Sequence, residues 1–161
     1  MPTDSLDTLL SATTANLILV ARVYRTVADE ALADLGLSQA TAWPIVMTGR
    51  MGDGVRQGAL AAALGIEGPS LVRVLDQLVA SGLMTRRECE DDRRAKTLHL
   101  TASGHALRAR IESLLVDLRR KIFADIDPDR VQVMLDVMEQ LKGALGPKAA
   151  LALQAVSDRQ P

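Results

Sequence analysis

Aromatic side chains are nearly absent. Tyr24, Trp43 and Phe123 are the only three in 161 residues. Single-strand binders and RNA-reading sheets stack bases on several exposed rings, so both classes are excluded. Cysteine is scarcer still: Cys89 stands alone, which rules out an internal disulfide and fits a reducing compartment. With that thiol and two histidines, His99 and His105, no dedicated metal site can be drawn at known ligand spacings, and no cofactor motif is present. Charge of one sign is lacking too, since nineteen basic against twenty acidic residues leave a net charge of −1. Any affinity for nucleic acid must therefore come from local placement of charge. Nor does an apolar run of about 18 residues occur, and Asp4 and Asp7 stand where a basic leader would begin. A cytoplasmic protein without a membrane span is the expectation.

What is abundant is Leu, Ala, Val and Met, within a 48% hydrophobic composition. That content suffices for a core and favours helices over sheets. Leu6, Leu9, Leu10, Leu17, Val20, Tyr24, Val27, Ala28, Ala31 and Leu35 recur at helical spacing, which predicts one long helix ending before Gly36. Ser38 is placed to cap a second helix over about Gln39–Thr48. Thr48–Gly58 holds four glycines in eleven residues. A phosphate-cradling loop needs a preceding strand and a closing Gly-Lys-Ser/Thr, and neither is present, so this stretch reads as a flexible connection.

Gln57–Leu64 and Gly68–Ala80 predict two short helices separated by the turn Gly65-Ile66-Glu67, which is a helix-turn-helix arrangement. In the second of them Leu71, Val74, Leu75 and Leu78 form an inward stripe. Ser70, Arg73 and Gln77 fall on the opposite face. After Gly82 the period changes, and Leu83–Arg87 with Ala95–Thr101 predict a hairpin whose charged tip spans Glu88–Arg94. A hairpin following a helix-turn-helix is a wing. Thr101 or Ser103 then caps a helix to about Ala124, and Asp127-Pro128 opens a last one that Gly146-Pro147 closes.

This arrangement explains how an acidic chain addresses duplex DNA. Arg73 can pair bidentately with guanine in the major groove, Gln77 can reach an adenine or a phosphate, and Ser70 can serve a phosphate at the helix N-terminus. Arg93 and Arg94 suit a narrow A·T-rich minor groove, with Asp92 orienting a wing arginine. The alternatives are a solvated helix face with no ligand, and a helical scaffold that binds only protein. An enzyme is not expected, because no Ser/His/Asp, Cys/His or paired-carboxylate arrangement stands out. Cys89 is flanked by Glu88 and Glu90, which disfavour a reactive thiolate.

The run Leu60–Gly104 resembles the MarR family of winged-helix regulators, most specifically in "IEGPSLVRVLDQL" (Ile66–Leu78) and "DRRAKTLHLT" (Asp92–Thr101). Within that family it is similar to the SlyA-type branch. The resemblance implies a mainly α, single-domain chain spanning 1–161, with a winged-helix lobe at 36–101 and helical segments at 1–35 and 102–161 forming a dimer base. It implies a homodimer binding a palindromic operator, with Pro69, Ser70 and Arg73 on the recognition helix and Asp92, Arg93 and Arg94 in the wing. It also implies a small aromatic carboxylate or phenolic ligand held near Arg22, Tyr24, Arg25 and Trp43, Tyr24 standing where a tryptophan is common.

Overall fold

The computed structural model describes residues 3–52, 54–89 and 96–146. The elements in chain order are α1 (Thr3–Leu32), a short 3-10 turn (Ala33–Leu35), α2 (Gln39–Met51), β1 (Val55–Arg56), α3 (Gln57–Leu64), α4 (Gly68–Ala80), β2 (Met84–Glu88), β3 (Lys96–Leu100), α5 (Ala102–Ile122) and α6 (Pro128–Ala144). It is a mainly α fold carrying a small antiparallel sheet in the order β1-β3-β2.

Local chemistry sets the boundaries. The 3-10 turn ends at Gly36, which adopts φ +68, a conformation that costs glycine nothing. The Gln39 N–H donates to the Asp29 carboxylate, tying the start of α2 to the end of α1. Thr101 caps α5 by accepting from the Gly104 N–H at 3.0 Å, and donates to the Gly82 carbonyl at 2.7 Å. Asp127 caps α6 through the Asp129 N–H at 2.8 Å, with Pro128 in the first helical turn.

The glycine-rich run after Thr48 departs from the expected flexible connection. Helix α2 continues through Met51, and Val55–Arg56 form a strand that pairs with β3 in the register Val55 to Leu98. Two positive-φ glycines make this possible: Gly52 at φ +95 and Gly54 at φ +84 turn the chain back. The Gly54 N–H then donates to the Leu98 carbonyl at 3.0 Å. The expected two-stranded wing is thus the outer part of a three-stranded sheet.

One core joins helices α1 to α5 and the sheet. Ala28 and Leu32 of α1, Ile45, Val46 and Met47 of α2, Leu60 of α3, Leu71 and Leu75 of α4, Met84 of β2, Leu98 of β3 and Ile111 of α5 are all buried. Apolar residues earlier in α1 are not: Leu6, Leu9, Leu10, Ile18, Leu19 and Val20 are exposed, as are Val133, Met134, Leu135 and Val137 of α6. By length and composition alone Ser5–Leu35 is apolar enough to cross a bilayer, although no unbroken apolar run occurs. A helix whose apolar residues cover much of its circumference meets that measure equally when it is destined for protein packing.

Helix α5 begins hard against the sheet. A Cβ on Gly104 would sit inside the van der Waals envelope of the Leu83 carbonyl oxygen, which is backbone and cannot rotate away. Gly104→Ala is therefore expected to destabilise the fold by about 1–3 kcal/mol despite alanine's better helix propensity. Urea unfolding of the variant checks this, and an unchanged midpoint would refute the close approach.

Candidate nucleic-acid interface

The turn between α3 and α4 is made by Gly65 at φ +65, with the Ile66 N–H returning to the Ala61 carbonyl at 3.2 Å. The two helices bend by 111° across it, within the range of helix-turn-helix units. Leu71, Leu75 and Leu78 anchor α4 in the core, and Val74 packs partly against it. Pro69, Ser70, Arg73 and Gln77 are all exposed. Burial of every third or fourth residue forces this, because 3.6 residues per turn place Ser70, Arg73 and Gln77 opposite the leucines. Pro69 stands in the first turn, where its missing N–H costs no helical bond. Arg73 has neither an ion pair nor a hydrogen bond among the described residues, so its guanidinium is uncommitted.

An acidic residue shares this helix. Asp76 accepts from Arg86 Nη1 at 2.9 Å across to β2. The pair neutralises a carboxylate that would otherwise repel phosphates, and it ties the helix to the wing strand. Arg86 faces inward at a position opposite Leu98, and its Nε and Nη2 are buried without a hydrogen-bond partner among the described residues. Sequence reasoning missed this pair. The available signal was an arginine at an inward position of an alternating strand.

In the sheet, Leu98 and Leu100 face the core as their alternation requires, and Glu88 pairs with Lys96 at 3.0 Å where β2 and β3 leave the described residues. Asp92, Arg93 and Arg94 lie outside the described residues, as do Glu90 and Asp91. Cys89 is half-buried and accepts from Arg56 Nη2 at 3.8 Å.

The four residues implied for a ligand lie on two helices, Arg22, Tyr24 and Arg25 on α1 and Trp43 on α2. Tyr24 and Trp43 are half-buried and pack against the core, whereas Arg22 and Arg25 are exposed on α1. The cation over Trp43 is Arg50, 5.9 Å from the ring centroid. A groove of about 540 Å³ does run between the end of α1 and α5, but it is lined by Ala31, Leu35, Arg110, Ser113, Leu114, Asp117, Leu118 and Lys121. Among the described residues no three His, Cys, Asp or Glu side chains come together as a metal site would require.

With this geometry in hand, known proteins place the chain. Residues 35–95 match the model of the MarR family. The crystal structure of the transcriptional regulator PA3341 superposes with a TM-score of 0.74 at 34% identity, over 83% of this chain and 97% of that one. The chain belongs to the MarR family. Its fold is that of MarR-type winged-helix transcriptional regulators. CouR from Rhodococcus jostii RHA1, solved bound to p-coumaroyl-CoA, is similar at 26% identity and a TM-score of 0.71, over 78% of this chain and 87% of that one. The structure of the regulator SlyA, at 14% identity and a TM-score of 0.73, covers 83% of this chain and 93% of that one. At that identity it shows a common fold and does not assign the MarR-type chain to a SlyA branch.

The two faces of α4 predict opposite consequences for stability. Leu75→Ala is expected to cost about 2–5 kcal/mol, as for a fully enclosed leucine. Arg73→Ala should shift stability by no more than about 0.5 kcal/mol, as for an exposed side chain without a partner. Chemical denaturation of both variants checks the contrast, and a large loss for Arg73→Ala would show that the arginine serves the fold.

Proposed function

We propose that this MarR-family chain is a sequence-specific regulator that binds a palindromic operator in duplex DNA as a homodimer. The single observation that carries the reading is Arg73. It is exposed in the middle of the second helix of a helix-turn-helix, without a partner among the described residues, beside an aspartate whose charge Arg86 already neutralises. A guanidinium in that position is suited to the O6 and N7 of guanine. Pro69, Ser70 and Gln77 surround it on the face that enters the major groove. Asp92, Arg93 and Arg94 are assigned to the wing's contact with the flanking minor groove on their sequence pattern alone.

The dimer rests on a different observation. Helix α6 buries none of its residues, and most of α1 is exposed along its apolar positions. Burying a large aliphatic side chain is worth about 1.5–3 kcal/mol, so these faces favour a second copy of the chain. Residues 36–101 then act as the reading lobe, with 1–35 and 102–161 as the dimer base. Two recognition helices related by a two-fold axis read half-sites about 10 base pairs apart. Work on genomic DNA makes the compartment cytoplasmic, and the proposed role is binding without catalysis. A helical scaffold that binds only protein is the competing reading.

CouR was solved with p-coumaroyl-CoA, and an aromatic acid or its thioester is the ligand class we propose for this chain as well. Trp43, with a guanidinium over its ring, supports that chemistry better than Arg22 and Arg25, which are exposed on α1.

Two outcomes are expected. Arg73→Ala should weaken binding to an operator by about 1–3 kcal/mol at fixed salt and relax base preference at one position of each half-site. Fluorescence anisotropy against the wild-type operator and its base variants reads this, and unchanged affinity would favour the scaffold. Placing lysines at Val137 and Leu141, one turn apart on the exposed face of α6, should convert a dimer into a monomer in sedimentation velocity. A wild-type chain that already sediments as a monomer would contradict the dimer.

A further inference from the structure

Where the end of α2 meets α5, four side chains form a strap. Glu112 of α5 accepts, on one carboxylate oxygen, from Arg50 Nε of α2 at 3.4 Å and from Arg108 Nε of α5 at 3.3 Å. The three are only about one-third exposed, at 26–32% of their side-chain surface. Arg50 in turn lies over the Trp43 ring. Arg108 reaches the carboxylate by lying across the bare backbone of Gly49, so closely that a Cβ there would overlap its Cδ, Nε and Nη1. A glycine inside a helix is ordinarily a cost, and here it is the space the arginine occupies.

The position of this strap gives it leverage. Helix α5 connects the reading lobe to the remainder of the chain, and α2 runs directly through Gly52 and Gly54 into β1, which pairs with β3 of the wing. Ile45, Val46 and Ile111 are fully buried in the shared core and pack α2 and α5 together, and the strap adds directional bonds to that non-directional attraction. Hydrogen bonds from two guanidinium groups to one carboxylate have preferred angles, so they select one rotation of the lobe about α5.

We infer that Glu112 is a positioning residue that sets the distance between the two recognition helices of the dimer, and hence the operator's half-site spacing. This rests on the DNA-binding reading above. Glu112 itself touches no base. Its contribution is to make one spacing fit and its neighbours misfit, which is specificity without direct readout.

The test uses the full-length chain and the operator it selects from a random duplex pool. The spacer between half-sites is lengthened and shortened by one base pair, and affinities are measured for wild type, Glu112→Gln and Gly49→Ala. The glycine variant displaces Arg108 while leaving every charge in place. Both variants should lose about threefold to tenfold of the wild-type preference for the native spacing, the effect of one or two partly buried ion pairs. Affinity for a single half-site and the thermal midpoint should change little. A spacing profile identical to wild type in both variants overturns the inference, and so does an equal loss at every spacing, which marks a merely structural role. Failure of the wild-type chain to select any motif overturns the DNA-binding reading together with it.

Discussion

Of helix α1, only the last turns enter the core formed by the described residues. Ala28 and Leu32 are fully buried in the core that also takes Ile111 and Leu115 of α5, while Leu9, Ile18 and Val20 remain more than half exposed. The remainder of the fold follows from this division. The buried end fixes α5 beside α2, and through them the sheet and the helix-turn-helix form one enclosed lobe. The exposed end, together with the apolar positions of α6, is surface that the other described residues leave uncovered. A long two-sided surface of that kind is characteristic of intertwined helical dimers, and the proposed homodimer answers it.

Charge is arranged on the same local principle. A chain with a net charge of −1 has no general attraction to a polyanion. It can still present a cation to a base if the carboxylate next to it is neutralised. Arg86 does this for Asp76 at 2.9 Å, and the same bond holds α4 against β2. The arrangement favours base readout over indiscriminate backbone attraction, because the Arg73 guanidinium, unpaired among the described residues, is exposed on a helix that three leucines hold in place.

Much of this was legible in the sequence where a strong period met a clear stop. The two faces of α4 followed from leucines at positions 71, 75 and 78. The strands on either side of the wing followed from alternation at Leu98 and Leu100, and the Asp127 cap from side-chain chemistry, while of the two candidates Thr101 and Ser103 it is Thr101 that caps α5. Other features were hidden for physical reasons. A two-residue strand such as Val55–Arg56 has no period to detect, and it exists because Gly52 and Gly54 take positive φ and a neighbouring strand is available. Glu112 lies 62 residues from Arg50, and Arg86 ten from Asp76. Pairings over such separations are products of the fold. The residues implied for a ligand came from two helices, and their burial was not legible in advance: Tyr24 and Trp43 are half-buried, Arg22 and Arg25 are exposed, and the cation over Trp43 is Arg50 from its own helix.

The central claim is that two copies of this chain place two recognition helices and two wings on one duplex. Hydroxyl-radical footprinting of the wild-type protein on its selected duplex tests it most directly. The account predicts protections related by a two-fold axis, with their centres about 10 base pairs apart and flanking minor-groove protection on each side. A single protected patch without dyad symmetry, or no protection at concentrations where the protein is folded and dimeric, would contradict it.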